Sequence, residues 1–262
     1  MNTWQFLISA WTWNPGVLAA GAAALAGYVA AFRDRRRIGW LLAALGVFFF
    51  VLLSPLNALA DGYLFSAHMA QHILLLLVAP ALALLSLPRD FSLPKFLRPL
   101  ANPCVGWASG VGAMWFWHAP ALCNAAVASK PVYAVQTVSL LALGTMFWWQ
   151  TLAPREAQRI SPLAGVLYLF TACTACSVLG IILTFSPVTV CASYLHPTDR
   201  LGLLGLIRED WGMNLERDQQ IGGLLMWVPM CLLYLSAIFA QFARWYGATP
   251  APVQPVLKEK IS

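Results

Sequence analysis

The chain has 262 residues, of which 60% are apolar and only 10% charged. A soluble domain carries about 25% charged residues to solvate its surface, so this composition excludes a water-soluble globule and leaves no length for a separate soluble catalytic domain. The net charge of +6 does not indicate nucleic acid, because the basic residues sit in short loops rather than along one face.

An uncharged start with Trp4, Trp11 and Trp13 leads into the first apolar run. A helix needs about 20 apolar residues to cross the bilayer, which predicts spans at about 15–32, 38–54, 67–87, 104–121, 132–152, 162–186 and 219–245. The first span ends in Arg33-Asp34-Arg35-Arg36-Arg37, the reverse of a cleavable signal peptide, so an outside N-terminus and a retained first helix are expected. In that orientation the inner loops hold twelve basic and four acidic residues, a balance of +8. The outer loops hold four basic and six acidic residues, a balance of −2. Basic residues in short loops set orientation. The expected fold is all-α: a polytopic membrane helical bundle of seven transmembrane helices over residues 1–248, N-terminus outside and C-terminus inside. A long outer loop over about 187–218 precedes the last span, with a short interfacial helix expected around 200–211. A Pro-rich cytoplasmic tail follows at 249–262.

This topology puts all four histidines toward the outer side. His68 and His72 open the third span, His118 closes the fourth just before Pro120, and His196 lies in the outer loop. Residues four apart share one helical face, about 6 Å apart along the axis. Two imidazoles so placed can grip one metal ion, with a third completing the site from a neighbouring helix. Ionisable residues within a membrane are functional candidates by default, yet a histidine bonded to a neighbouring helix or hydrated at the interface fits the same pattern. Met114, four before His118, Met226 and Met230, and Met69 beside His68 add thioethers, which with imidazole favour copper, particularly Cu(I). Each of those methionines is equally an ordinary packing residue.

Of the six cysteines, Cys104 and Cys231 read as small apolar residues. Cys173 and Cys176 form a CxxC inside a span, where packing by small residues explains them. Cys123 and Cys191 fall in or beside outer loops, where a disulfide is permitted. Asp218, at the mouth of the last span, reads as a cap on that helix or as a carboxylate orienting a metal-bound imidazole. Asp61, before Gly62, reads as a turn residue or the same kind of support. No nucleophile–base pair or phosphate loop is present, so no enzymatic activity is expected.

Leu53-Ser54-Pro55-Leu56, then Ser66-Ala67-His68-Met69-Ala70-Gln71-His72 and Leu77-Val78-Ala79-Pro80, resemble the membrane-integral CtaG family of cytochrome c oxidase assembly factors. Trp117-His118-Ala119-Pro120, Phe147-Trp148-Trp149 and Leu183-Thr184-Phe185-Ser186 are similar to that family as well. The most specific match is Asp218-Gln219-Gln220-Ile221-Gly222-Gly223-Leu224-Leu225-Met226-Trp227-Val228-Pro229. The resemblance implies a multi-pass protein of the bacterial inner (plasma) membrane that handles copper for the membrane-buried copper centre of a haem–copper oxidase. Its implied partners are oxidase subunits and a periplasmic copper donor.

His68, His72 and His118 are then the carried-over ligand candidates, with His196, Met114 and Cys123 as weaker ones. Members of the family carry further histidines at the outer start of the fifth helix, where this chain has Tyr133 and Gln136-Thr137. Gln71, Tyr133 and Gln136 therefore join Asp61 and Asp218 as candidates for supporting the ligands. Two other readings compete: a metal-free membrane scaffold for oxidase assembly, and a haem-binding redox protein with His72 and His118 as axial ligands. A copper permease ranks last, because the inner halves of the spans hold no histidine or charge.

Overall fold

A computed structural model describes residues 2–247; the Pro-rich tail expected at 249–262 lies outside the described residues. The first element, α1 (Thr3–Ser9), is held by a capping box between Asn2 and Gln5. Two apolar helices follow, α2 (Pro15–Ala31) and α3 (Ile38–Leu53), then the short α4 (Pro55–Ala60). Next, α5 (Phe65–Ile73), a π-helical stretch Leu74–Val78 and α6 (Ala79–Ser86) run on as one apolar helix of 22 residues. The remaining helices are α7 (Pro103–Trp117), α8 (Pro120–Ala128), α9 (Lys130–Leu152), α10 (Pro162–Phe185) and α11 (Leu215–Gly247). No strand occurs among the described residues.

Four of these helices are long and apolar enough to cross a membrane: Phe65–Ser86, Lys130–Leu152, Pro162–Phe185 and Leu215–Gly247. Pro15–Ala31 and Ile38–Leu53 are apolar but shorter, and α7 stands where the fourth span was expected with 15 residues. Large apolar side chains face outward along the long helices, among them Val135 and Val138 on α9, Leu167, Phe170 and Ile182 on α10, and Leu232 and Phe239 on α11. Helices that are apolar all round, with outward faces as hydrophobic as their buried ones, belong in a membrane.

Sequence accounts for the irregular turn in the α5–α6 helix. Pro80 supplies no N–H and its ring pushes against the carbonyl four residues back, Leu76. The helix relaxes into the wider π turn just before it. Gly144 of α9 lies directly against that Leu76 carbonyl, where any Cβ would collide. Helix α9 can therefore approach the widened turn only because position 144 has no side chain.

A polar-rimmed layer covers one end of the bundle. Phe6 of α1, Tyr63, Leu64 and the loop residues Leu203, Leu206 and Ile207 form a separate small core there. Where a short interfacial helix was expected, around 200–211, the chain is helical over 204–210, most of it the π turn Leu206–Asp210. Its apolar residues pack on protein rather than on lipid. Asp199 organises the approach to it, accepting from Leu203 N at 2.7 Å and from the Tyr63 hydroxyl at 3.1 Å. Burial acts to raise the Asp199 pKa, but these donors outweigh it and hold the carboxyl below its usual value.

The same loop is stapled to α8 by a disulfide between Cys123 and Cys191, 68 residues apart. Beside it, Asn124 Oδ1 accepts from Ser193 N at 2.8 Å and from Ser193 Oγ at 2.9 Å. Replacing both cysteines by serine should lower stability by about 2–4 kcal/mol, since a loop of this length loses much closure entropy when cross-linked. Thermal unfolding in detergent checks this, and an unchanged midpoint would contradict it.

Candidate metal centre

Helix α5 starts with no side-chain cap of its own. The last helix provides one. Asp218 of α11, 1% exposed, accepts from Phe65 N through Oδ2 at 2.7 Å and from Ser66 N through Oδ1 at 3.0 Å. A carboxylate at a helix start answers both the free N–H groups and the positive end of the dipole. Capping its own helix is not what Asp218 does, because α11 is capped by Asn214, whose Oδ1 accepts from Arg217 N at 2.8 Å. The neighbouring Gln219 fastens the end of α10 and the loop after it, donating to the carbonyls of Ser186 and Val188 and accepting from Val190 N at 3.0 Å. One turn on, Gly222 faces Phe65 and Met69 so closely that a Cβ would sit 2.6 Å from the Phe65 ring.

Carried by the helix so fixed, His68 and His72 bring their Nε2 atoms to 3.1 Å from each other. Their ring centroids are 4.5 Å apart, and His118 stands edge-on to His72 at 4.9 Å. Helix α7 ends at His118 because the following Ala119 precedes Pro120 and turns extended. The Nδ1 of His118 donates to the Met114 carbonyl at 2.5 Å. A carbonyl can only accept, so the proton is on Nδ1 and the Nε2 lone pair is free. That Nε2 faces the Met69 sulfur at 3.0 Å. Three imidazoles and one thioether thus converge from α5 and α7, in two close donor pairs joined by the His72–His118 contact.

The three rings are buried, between 1% and 5% exposed. Above them, Tyr194 of the stapled loop lies 6.3 Å from the His68 ring and donates to the Ala60 carbonyl at 2.8 Å. The cluster is therefore buried, with Tyr194 of the loop against its His68 side. Among the described residues no group of three or more His, Cys, Asp or Glu side chains is placed so that it could hold a metal ion.

A polar brace lies beside the rings. Gln71 donates to the Val51 carbonyl at 3.0 Å and to Asn57 Oδ1 at 3.2 Å, and the Tyr133 hydroxyl reaches Gln71 Oε1 and Asn57 Oδ1, each at 3.1 Å. Tyr133, where a further histidine was expected, thus fixes the residue next to His72 instead of reaching the rings. Gln136 is 1% exposed and lies near His72. Its Nε2 and the His72 Nδ1 are both buried without a hydrogen-bond partner.

The weaker candidates do not join this group. His196 is exposed and makes none of the contacts above. Cys123 is spent in the disulfide and has no thiolate to offer. Met114 contributes its carbonyl. Asp61 is exposed and ends α4 before Gly62, whose φ of 92° requires glycine. Within the bundle, Cys173 pairs not with Cys176 but with Cys231 of α11, sulfur to sulfur at 3.2 Å. Asn57 carries no sequence signal, and Met69 reads from sequence only as a thioether beside His68. Met69 falls off the HxxxH face, and only the position of α7 brings it opposite His118.

Residues 17–248 match the cytochrome c oxidase caa3 assembly factor family (Caa3_CtaG). The chain belongs to this family. An assembly factor of this kind associates with cytochrome c oxidase during its biogenesis. No curated protein and no solved structure matches the chain.

The Asp218 cap gives a direct test. Charge-assisted hydrogen bonds to a buried group contribute about 1.5–3 kcal/mol each. Asp218→Ala should therefore destabilise the protein by at least about 2 kcal/mol and loosen α5, seen as faster amide exchange at Phe65 and Ser66. Exchange unchanged at those two amides would show that the cap is not what holds the helix.

Proposed function

We propose that the chain is a non-enzymatic copper-handling assembly factor of the bacterial inner membrane. It holds copper as cargo at His68, His72, His118 and Met69, on the outer side, for delivery to an oxidase subunit. The observation that carries this reading is the committed tautomer of His118. With its proton directed to the Met114 carbonyl, the ring presents a lone pair to the Met69 sulfur, itself a lone-pair donor. Two acceptors 3.0 Å apart in a dry core have no proton to share, and a soft cation between them supplies the missing attraction.

The donor set supports the choice of metal. Imidazole and thioether without a nearby carboxylate disfavour magnesium and calcium and suit copper, Cu(I) above all. Small rotations of the His68 and His72 rings would turn their Nε2 atoms, already 3.1 Å apart, toward the same ion. Burial means that loading and release require the covering loop around Tyr194 to yield, and a periplasmic copper donor and the receiving oxidase subunit are the partners that would act there. A haem reading is less well supported, because His72 and His118 are in edge-to-face contact at 4.9 Å and leave no slot for a macrocycle between them.

The purified protein should bind about one Cu(I) per chain in competition with a chromophoric chelator. His68→Ala with His72→Ala should abolish that binding and lower oxidase activity in cells, while His196→Ala leaves both unchanged. Met69→Leu, which keeps volume and removes the sulfur, should weaken Cu(I) binding about tenfold, or roughly 1.4 kcal/mol. Unaltered copper binding and oxidase assembly in the double histidine variant would overturn the proposal in favour of a metal-free scaffold.

A further inference from the structure

Two thiols meet on the seam between α10 and α11, and the copper reading uses neither. Cys173 of α10 donates to the Cys231 sulfur of α11 at 3.2 Å. Ser177 commits its only proton to the Cys173 carbonyl at 2.8 Å. Its Oγ can therefore only accept from Cys231, whose sulfur lies 3.1 Å away. The Cys231 proton thus points aside to Ser177, and only the Cys173 proton lies between the two sulfurs. Cys176 does not join them: it is fully buried, its sulfur 4.0 Å from the Tyr234 hydroxyl.

The two backbones are held close on both sides of this pair. About two turns toward Phe185, a Cβ on Gly180 would sit 2.9 Å from Trp227 Cβ and 3.1 Å from the Gly223 carbonyl. About two turns toward Pro162, a Cβ on Gly165 would sit 3.0 Å from the Gln241 side chain. A disulfide needs about 2.0 Å between its sulfurs, so a closing of about 1.2 Å from 3.2 Å, shared by two side chains, makes the bond. Cys173 lies about 17 Å from the start of α10 and about 18 Å from its end, at the mid-depth of a span. Cys173 and Cys231 are both half-buried, and the same stretches turn Phe170, Leu232 and Leu235 outward. Both helices are long and apolar enough to cross a membrane, so whatever reaches these sulfurs comes through lipid.

We propose that Cys173 and Cys231 form a dithiol that a lipid-soluble quinone oxidises to a disulfide bridging α10 and α11. Both S–H bonds break and one S–S bond forms, while the two electrons and two protons pass to the quinone, which leaves as the quinol. A quinone resides in the bilayer and takes two electrons with two protons, so the exchange leaves no charge behind. A metal ion fits the pair less well. Cu(I) between two thiolates carries a net negative charge, which is costly at the centre of a bilayer. The bridge would fix α11, whose Asp218 caps α5, to α10. The site is independent of the copper reading.

The full chain in phosphatidylcholine vesicles, with a short-tailed ubiquinone as the probe, tests it. The quinone should remove two of the four alkylatable thiols and form about one quinol per chain. Mass spectrometry should find a Cys173–Cys231 linked peptide that dithiothreitol reverses. Cys173→Ala or Cys231→Ala should abolish quinol formation, and Cys104→Ala with Cys176→Ala should leave it unchanged. Tetrathionate, an anionic oxidant confined to water, should bridge the pair at least about tenfold more slowly than the quinone. Four thiols still alkylated after quinone, a bridge to Cys176, a quinone adduct on either sulfur, or equal rates with tetrathionate would each overturn the assignment. Those four outcomes are read on the unsubstituted chain, so none depends on a variant folding.

Discussion

One carboxylate ties the histidine-bearing end of this molecule together. Asp218 belongs to the last helix, yet its two oxygens complete the first turn of α5. The helix that carries His68, Met69 and His72 therefore begins where α11 places it. Gly222 lets the two helices touch at Phe65 and Met69, and Gln219 fastens the end of α10 and the covering loop to the same point. A carboxylate in such a place is costly unless its lone pairs are met, and here they are met by the N–H groups that α5 leaves free.

What this frame supports is a cluster of neutral donors in a dry interior. Carboxylates would bring charge that attracts hard cations and resists burial. Imidazole and thioether bring lone pairs with little desolvation cost, and their softness favours copper. The brace of Gln71, Asn57 and Tyr133 fixes the residue next to His72 without reaching the rings. The position where the family carries another histidine has therefore become part of the support. Its neighbour Gln136 leaves an unpartnered amide nitrogen buried near the unpartnered His72 Nδ1.

The helices were legible because a bilayer imposes length and apolarity on every crossing segment. α9, α10 and the α5–α6 helix fall within two residues of the expected ranges, and α11 starts four residues early because Leu215–Asp218 add a polar first turn. The trio His68, His72 and His118 was legible from spacing and from the end of the bundle each helix presents. Pairings between helices were not. Asp218 looked like the cap of its own helix, because nothing local reveals that Asn214 fills that position and that the carboxylate reaches α5. Met69 was legible as a thioether beside His68, but its place off the HxxxH face hid its contact with His118. The disulfide partners could be located on one side of the membrane, but only the meeting of α8 with the loop joins Cys123 to Cys191.

X-ray absorption at the copper edge of the copper-loaded protein tests the central claim most directly. The account predicts imidazole multiple scattering from two or three histidines together with one sulfur neighbour, the sulfur disappearing in Met69→Leu while the imidazole signal persists. A shell of oxygen and nitrogen with no histidine signature, or a sulfur signal unchanged in Met69→Leu, would contradict it.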